Sequence, residues 1–160
     1  MTALSSDSIR DSRVRNNVAE DTASVATSAT VFVGSLLMFD ALGRLRAATP
    51  SAARRPAGVC TGIVNESGTP IASATGNAAG TIKATFEYDL EVLVNVATAA
   101  RTQANLNKNV FILTDNDVTD TTGAGTASLR IKIGSLTQFA NSAKSQAWIA
   151  VRKLGDADAV

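Results

Sequence analysis

Three carboxylates recur at every second position in FEYDLEVLVNV, residues 86–96: Glu87, Asp89 and Glu91. Successive side chains on a β-strand point to opposite faces, so this spacing sets all three on one face. Phe86, Tyr88, Leu90, Val92, Val94 and Val96 share the other, apolar face. On an extended strand Glu87 and Glu91 would lie roughly 13 Å apart, with Asp89 about 6–7 Å from each. That row could bind a cation, supply the acid pair of a glycosidase, or be the wet side of a sheet. A glycosidase site needs a cleft with positioned aromatics, and the nearest aromatic, Tyr88, falls on the opposite face. Charges on the outer side of an antiparallel strand are ordinary and discourage edge pairing. The row is therefore expected to be a solvated face. Ion pairs across strands or subunits, with residues such as Arg130 and Lys132, are the next reading.

The second acidic cluster is TDNDVTD, with Asp115, Asp117 and Asp120. It starts like a calcium loop but lacks the glycine at the sixth position and the closing bidentate glutamate, so a solvated turn is expected. The chain has no histidine, which removes the usual Ser-His-Asp and Cys-His chemistry and the commonest transition-metal ligand. Its one cysteine, Cys60, excludes an intrachain disulfide. The small apolar setting AGVCTGIV marks it as a buried thiol with nothing nearby to lower its pKa. Gly123 and Gly125 form a GAG in a Thr-rich loop with no helix behind it, a very weak nucleotide signal. No catalytic residue, metal ligand or cofactor is expected, and binding or assembly is left as the function.

Charge narrows the partners. Lys plus Arg number 15 and Asp plus Glu 14, a net charge of +1 over 160 residues. Neither an avid nucleic-acid binder nor a charge-driven membrane anchor is expected. The longest apolar run, VFVGSLLMFDAL, is shorter than the ~20 residues of a membrane helix and is interrupted by Asp40. MTALSSDSIRDSR has no apolar h-region behind a basic segment, so synthesis and retention in a cytoplasm are expected.

Residues 1–29 are rich in Ser, Thr, Asp, Asn and Arg. They cannot bury enough surface to offset their ordering entropy. This segment reads as an extended polar arm, mobile alone: either a solvated tail or an arm that docks on a partner surface, with Arg10, Arg13 and Arg15 as candidate partner contacts. Arg54 and Arg55 form a second basic pair in the Pro-bounded loop ATPSAARRPAG. Residues 30–155 read as one β-rich domain, and 156–160 as a flexible tail. SLLMFDALGRLRAAT reads as two strands around a turn at Ala41–Gly43, where Gly43 supplies a positive φ. A strand is expected at 58–65, then a turn at Glu66–Pro70. SATGNAAG reads as a loop, and TIKATFEYDLEVLVNV as a long strand or a bent pair. ATAARTQANLNKN could hold a short helix. VFILT is a strand, DNDVTDTTGAGTA a polar loop, and SLRIKIGSLTQF and QAWIAVRK the last two strands, bridged by ANSAKS. Alternation recurs without a helical period. An all-β fold is expected: an antiparallel barrel, tulip-like domain or sandwich.

The order of these segments resembles the small β-rich head decoration (capsid cement) proteins of tailed bacteriophages. In that family a G-x-L-V-x-x-D-x-x-G strand pair precedes a G-V-A/C strand. A G/N-K-x-V-Y/F strand, an R-I-G-x-L/V-x-x-F strand and a closing A-W-V-x-I/V strand follow. The matching stretches here are Gly34 to Gly43, Gly58 to Cys60, Asn107 to Phe111, Arg130 to Phe139 and Ala147 to Val151. The charged residues of IKIGSL are displaced from the family's R-I-G, and the arm has no counterpart. The resemblance implies a non-enzymatic virion structural protein on the exterior of an icosahedral capsid. It would contact the major capsid protein and itself, as a homotrimer, and bind no specific nucleic acid and no membrane. The alternatives are another phage structural subunit, from the head–tail junction or the tail, and a carbohydrate-binding or adhesion module. The last would want exposed aromatics, and Trp148 is the available one, more simply read as core.

Overall fold

The computed structural model describes residues 12–50, 54–120 and 131–152. They form β1 (Ser12–Ser24), β2 (Thr30–Phe32), β3 (Leu36–Phe39), β4 (Leu45–Ala47), β5 (Arg55–Val64), β6 (Pro70–Ile71) and β7 (Ser73–Thr75). β8 (Lys83–Val96) is followed by two 3-10 turns, Thr98–Ala100 and Gln103–Asn105, then β9 (Asn109–Ile112), β10 (Asp117–Thr119), β11 (Lys132–Phe139) and β12 (Gln146–Val151). The fold is all-β, as the alternation requires. The short helix allowed at 97–109 is replaced by the two 3-10 turns. SATGNAAG contributes the short strand β7, which pairs with β2 in a separate two-stranded sheet. The tail expected at 156–160 lies outside the described residues.

β8 organises the molecule. Its C-terminal half pairs with β12, β12 with β11, β11 with β9, and β9 with β10. β10 returns in parallel to β8 through Asp117↔Asn95 and Val118↔Val96. The five strands form a closed barrel. Register places Leu90, Val92 and Val94 level with Val151, Ile149 and Ala147, and Val118 level with both Val96 and Ile112. All of these are buried, so the interior is filled by side chains, as a small barrel requires. β10 lies within the stretch expected to be a polar loop. Its single Val118 was too weak a pattern to signal a strand, yet it closes the barrel.

The N-terminal half of β8 lies between β5 and β1. β5 pairs with β3, and β3 with β4. The chain leaving β1 then reaches β4: Val25 bridges Leu45, and the Ala26 N–H donates to the Leu45 carbonyl (2.7 Å). This second group of strands also comes back on itself. The two lobes share one continuous apolar core.

The arm and domain boundary differ from expectation. Ser12 to Ser24 is a strand along β8, and Val25 is fully buried in the core. Residues 1–29 lack large apolar side chains, but a sheet edge offers backbone partners that composition does not reveal.

Candidate functional site

The acidic row lies on the strand common to both lobes. β8 is flanked on both sides, so Glu87, Asp89 and Glu91 do not guard a free edge; all three are half-buried. Asp89 has φ +62°, a left-handed conformation that Asp tolerates better than bulkier residues. It marks the point where β8 exchanges partners. Glu87 is the last residue paired with β5, and Leu90 the first paired with β12. On the other side the register of β1 shifts between Val14 and Ala19. Of the expected cationic partners, Lys132 is on β11, level with Phe111 of β9, and β12 lies between it and β8; Arg130 lies outside the described residues. Across from Glu91 in the register is Arg13, and across from Glu87 is Glu20.

TDNDVTD is not a solvated turn. Asp115 and Asp117 are 3% and 5% exposed. The Thr114 hydroxyl donates to Asp117 Oδ2 (2.7 Å), and the Asn116 and Asp117 N–H groups donate to Thr114 Oγ1. The Asp115 carbonyl accepts from the Leu36 N–H (2.8 Å), joining this turn to the other lobe. The aspartates are structural because the closing strand of the barrel begins inside the motif. Among the described residues no group of three or more His, Cys, Asp or Glu side chains could hold a metal ion.

The basic pair falls at the start of β5 rather than in a loop. Arg55 is level with Phe39 across the β3–β5 ladder. It is exposed, whereas Arg54 is half-buried and its Nη1 is buried without a hydrogen-bond partner. Arg10 lies outside the described residues, and Arg13 and Arg15 lie on β1. The structure therefore separates the arginines: two belong to β1 and two to the mouth of the second lobe.

Arg55 lines a groove of about 200 Å³ with Asp21, Phe39, Pro56, Ala57, Phe86 and Tyr88. Phe39 meets Phe86 edge-on, with centroids 5.5 Å apart and planes at 83°. Phe86 and Tyr88 are 6.3 Å apart. Three of the chain's seven aromatic residues thus gather here. The groove has an apolar floor with Arg55 and Asp21 at its rim, which suits an inserted side chain of a protein partner. The shared parity of Phe86 and Tyr88 is a sequence signal for their adjacency. Nothing in the sequence brings Phe39 or Asp21 to them.

Gly58 allows this arrangement. Its φ is +150°, and a Cβ there would lie 2.2 Å from the Glu87 carbonyl oxygen. The hairpin carrying Phe39 is fixed by Asp40. Its Oδ1 accepts from the Leu42 and Arg44 N–H groups (2.8 and 2.9 Å), and its Oδ2 pairs with the Arg44 guanidinium (2.9 Å). Burial by itself pushes the Asp40 pKa up. Hydrogen bonds from Arg44 and Leu42 and the Arg44 charge outweigh it, so the carboxyl titrates below its ordinary value. Gly43 adopts φ +74° in the same turn, as expected.

A second cavity of about 490 Å³ opens at the barrel end among Asn95, Val96, Arg101, Asn116, Asp117, Ser145 and Gln146. Arg101 Nε donates to the Val96 carbonyl (2.8 Å), which pins that side chain to the barrel rim. Cys60 is buried, as expected, and Trp148 is half-buried on β12. No helix among the described residues is long and apolar enough to cross a membrane. Neither a protein-family model nor a curated protein matches the sequence.

Proposed function

We propose that this chain is a virion structural protein that binds the outer surface of an icosahedral bacteriophage shell and stabilises it, acting by contact rather than by catalysis. The supporting observation is where the five stretches of resemblance fall. Gly34 to Gly43 is β3 and its turn, Gly58 to Cys60 lies in β5, and Asn107 to Phe111 leads into β9. The described part of Arg130 to Phe139 carries β11, and Ala147 to Val151 lies in β12. Short motifs scattered along the chain thus correspond to the framework of both lobes.

The contact surface favoured by this reading is the mouth of the second lobe. The aromatic groove offers an apolar seat, and Arg55 and Asp21 beside it offer charged groups to a partner. Many copies on one lattice gain avidity, so each contact can be modest. A head–tail or tail subunit would use the same framework at another place on the particle. The test is cosedimentation of the purified chain with undecorated shells, followed by electron microscopy. Regular density over the shell and a raised disruption temperature are the expected result. Density confined to the portal or tail would move the protein to the second reading. Failure to bind any shell or virion part would end both.

A further inference from the structure

Asn95 is the middle of a three-strand row at the end of the barrel. Gln146 of β12 is level with it on one side and Asp117 of β10 on the other. Residues level with one another share a face of the sheet. Val96 and Val118, the next positions, are buried in the barrel, so Gln146, Asn95 and Asp117 belong to its outer face. At the usual strand spacing the row is about 10 Å wide. All three residues line the cavity of about 490 Å³, together with Arg101, Asn116 and Ser145. That volume lies within the roughly 300–1,000 Å³ of small-molecule sites. The walls are tied to β8: the Asn95 N–H donates to the Asn116 carbonyl (3.2 Å) and the Val96 N–H to the Ser145 carbonyl (2.8 Å). Asn141 fixes the turn before β12, its Oδ1 accepting from the Ser145 N–H and its Nδ2 donating to Ser145 Oγ (both 3.0 Å).

The lining decides which ligand fits. Arg101 brings a positive charge and Asp117 a negative one, and the other polar side chains are three amides and a hydroxyl. An anionic ligand would meet Asp117 and a cationic one Arg101; a neutral ligand meets neither repulsion. Amides and hydroxyls both donate and accept, which matches a ligand whose own groups do the same. The Arg101 bond to the Val96 carbonyl uses one of the five guanidinium donors, and the Thr114 hydroxyl engages one of the two Asp117 oxygens. An extended peptide is the poorer match. β8 is already paired on both sides here, by β12 and β10, so its ladder takes no further strand. Trp148 adds an apolar surface. It follows Gln146 by two residues on the same face of β12, level with Leu93. It is half-buried, so part of it remains accessible beside the cavity, and its indole has a broad apolar body.

We propose that the outer face at this end of the barrel binds a neutral saccharide, with its hydroxyls on Asn95, Gln146, Asp117 and Arg101 and the apolar face of a sugar ring against Trp148. This is a small-ligand site on the polar face of the barrel half of β8, apart from the aromatic groove of the other lobe. It rests on the cavity and not on the shell-binding reading, and each stands or falls without the other.

Trp148 is the chain's one tryptophan, so its fluorescence reports on this site. The full chain is titrated with lactose, maltotriose, mannotriose and chitotriose, and with inorganic phosphate and triglycine as controls. The expected result is a saturable change in emission with at least one saccharide and none with either control. Gln146→Ala and Asn95→Ala should each weaken binding of that saccharide about tenfold or more, the scale of a lost hydrogen bond. Gln146 is exposed, so its variant decides the matter if Asn95→Ala loses its fold. Calorimetry with the same saccharide is the second measurement, and it should agree with the fluorescence for the unaltered chain and for both variants. The absence of a saturable response to all four saccharides would overturn the proposal. So would folded variants that bind as well as the unaltered chain, or a response to phosphate or triglycine as strong as that to any saccharide, which would make this an anion or peptide site.

Discussion

The two halves of β8 carry the same alternation of apolar and polar residues but have different surroundings. From Leu90 to Val96 the strand forms one wall of a closed barrel, flanked by β12 and successively by β1 and β10. From Lys83 to Tyr88 it lies between β5 and β1, and two of its aromatics line a groove. Binary pattern specifies which face of a strand is buried, and it is indifferent to what covers that face. The barrel half uses its apolar face wholly for packing. The other half leaves part of that face at a groove and part of its acidic face against another acid. Stability is expected to concentrate in the first and contacts in the second.

The largest expected effect comes from closing the space between strands. A Cβ on Gly134 would lie 1.9 Å from the Ala150 carbonyl oxygen, inside the barrel wall. Gly134→Ala should cost about 3 kcal/mol or more, read by urea denaturation, because backbone and not a flexible side chain is in the way. If Gly134→Ala is nearly neutral, the barrel half is not the rigid one. At the junction, Asp89→Val should cost about 1–2 kcal/mol for a β-branched residue at positive φ, while Asp89→Gly should be close to neutral. Equal losses from both would mean that the carboxylate, and not the left-handed backbone, matters there.

The hairpin that brings Phe39 to the groove is tested by pH. Asp40→Asn should destabilise the protein by about 1 kcal/mol at neutral pH, through loss of charged hydrogen bonds. Because the folded-state pKa of Asp40 is depressed, this contribution is present above the ordinary aspartate pKa. It is lost as pH falls through the lower folded value. The gap between the two proteins' unfolding curves should narrow on acidification, and a gap independent of pH would remove the carboxylate from the account. The smallest effects should have opposite signs in the two halves. Glu87→Gln removes a like charge level with Glu20 and should stabilise slightly, whereas Glu91→Gln removes the charge level with Arg13 and should destabilise slightly. Each is worth about 0.2–1 kcal/mol, within reach of thermal melts at low salt. Effects of the same sign would mean that the two halves of β8 do not differ in their charge surroundings.

Local sequence determined the all-β class, most strand positions and the buried face of each, because period-two alternation and turn residues are local properties. It also determined the buried Cys60 and the turn at Gly43, which depend on neighbours in the chain. It did not determine that β10 exists, since three residues with one large apolar side chain carry no period. Only closure onto Asn95 and Val96 makes them a strand. Nor could it show that a polar N-terminal segment is a strand, because its partners are backbone groups on β8 rather than side chains of its own. The groove was equally hidden. Phe39, Asp21, Arg55 and Tyr88 are brought together by sheet topology, and the acidic row acquired its neighbours from strand register. Both are set by long-range pairing, which a one-dimensional pattern does not encode.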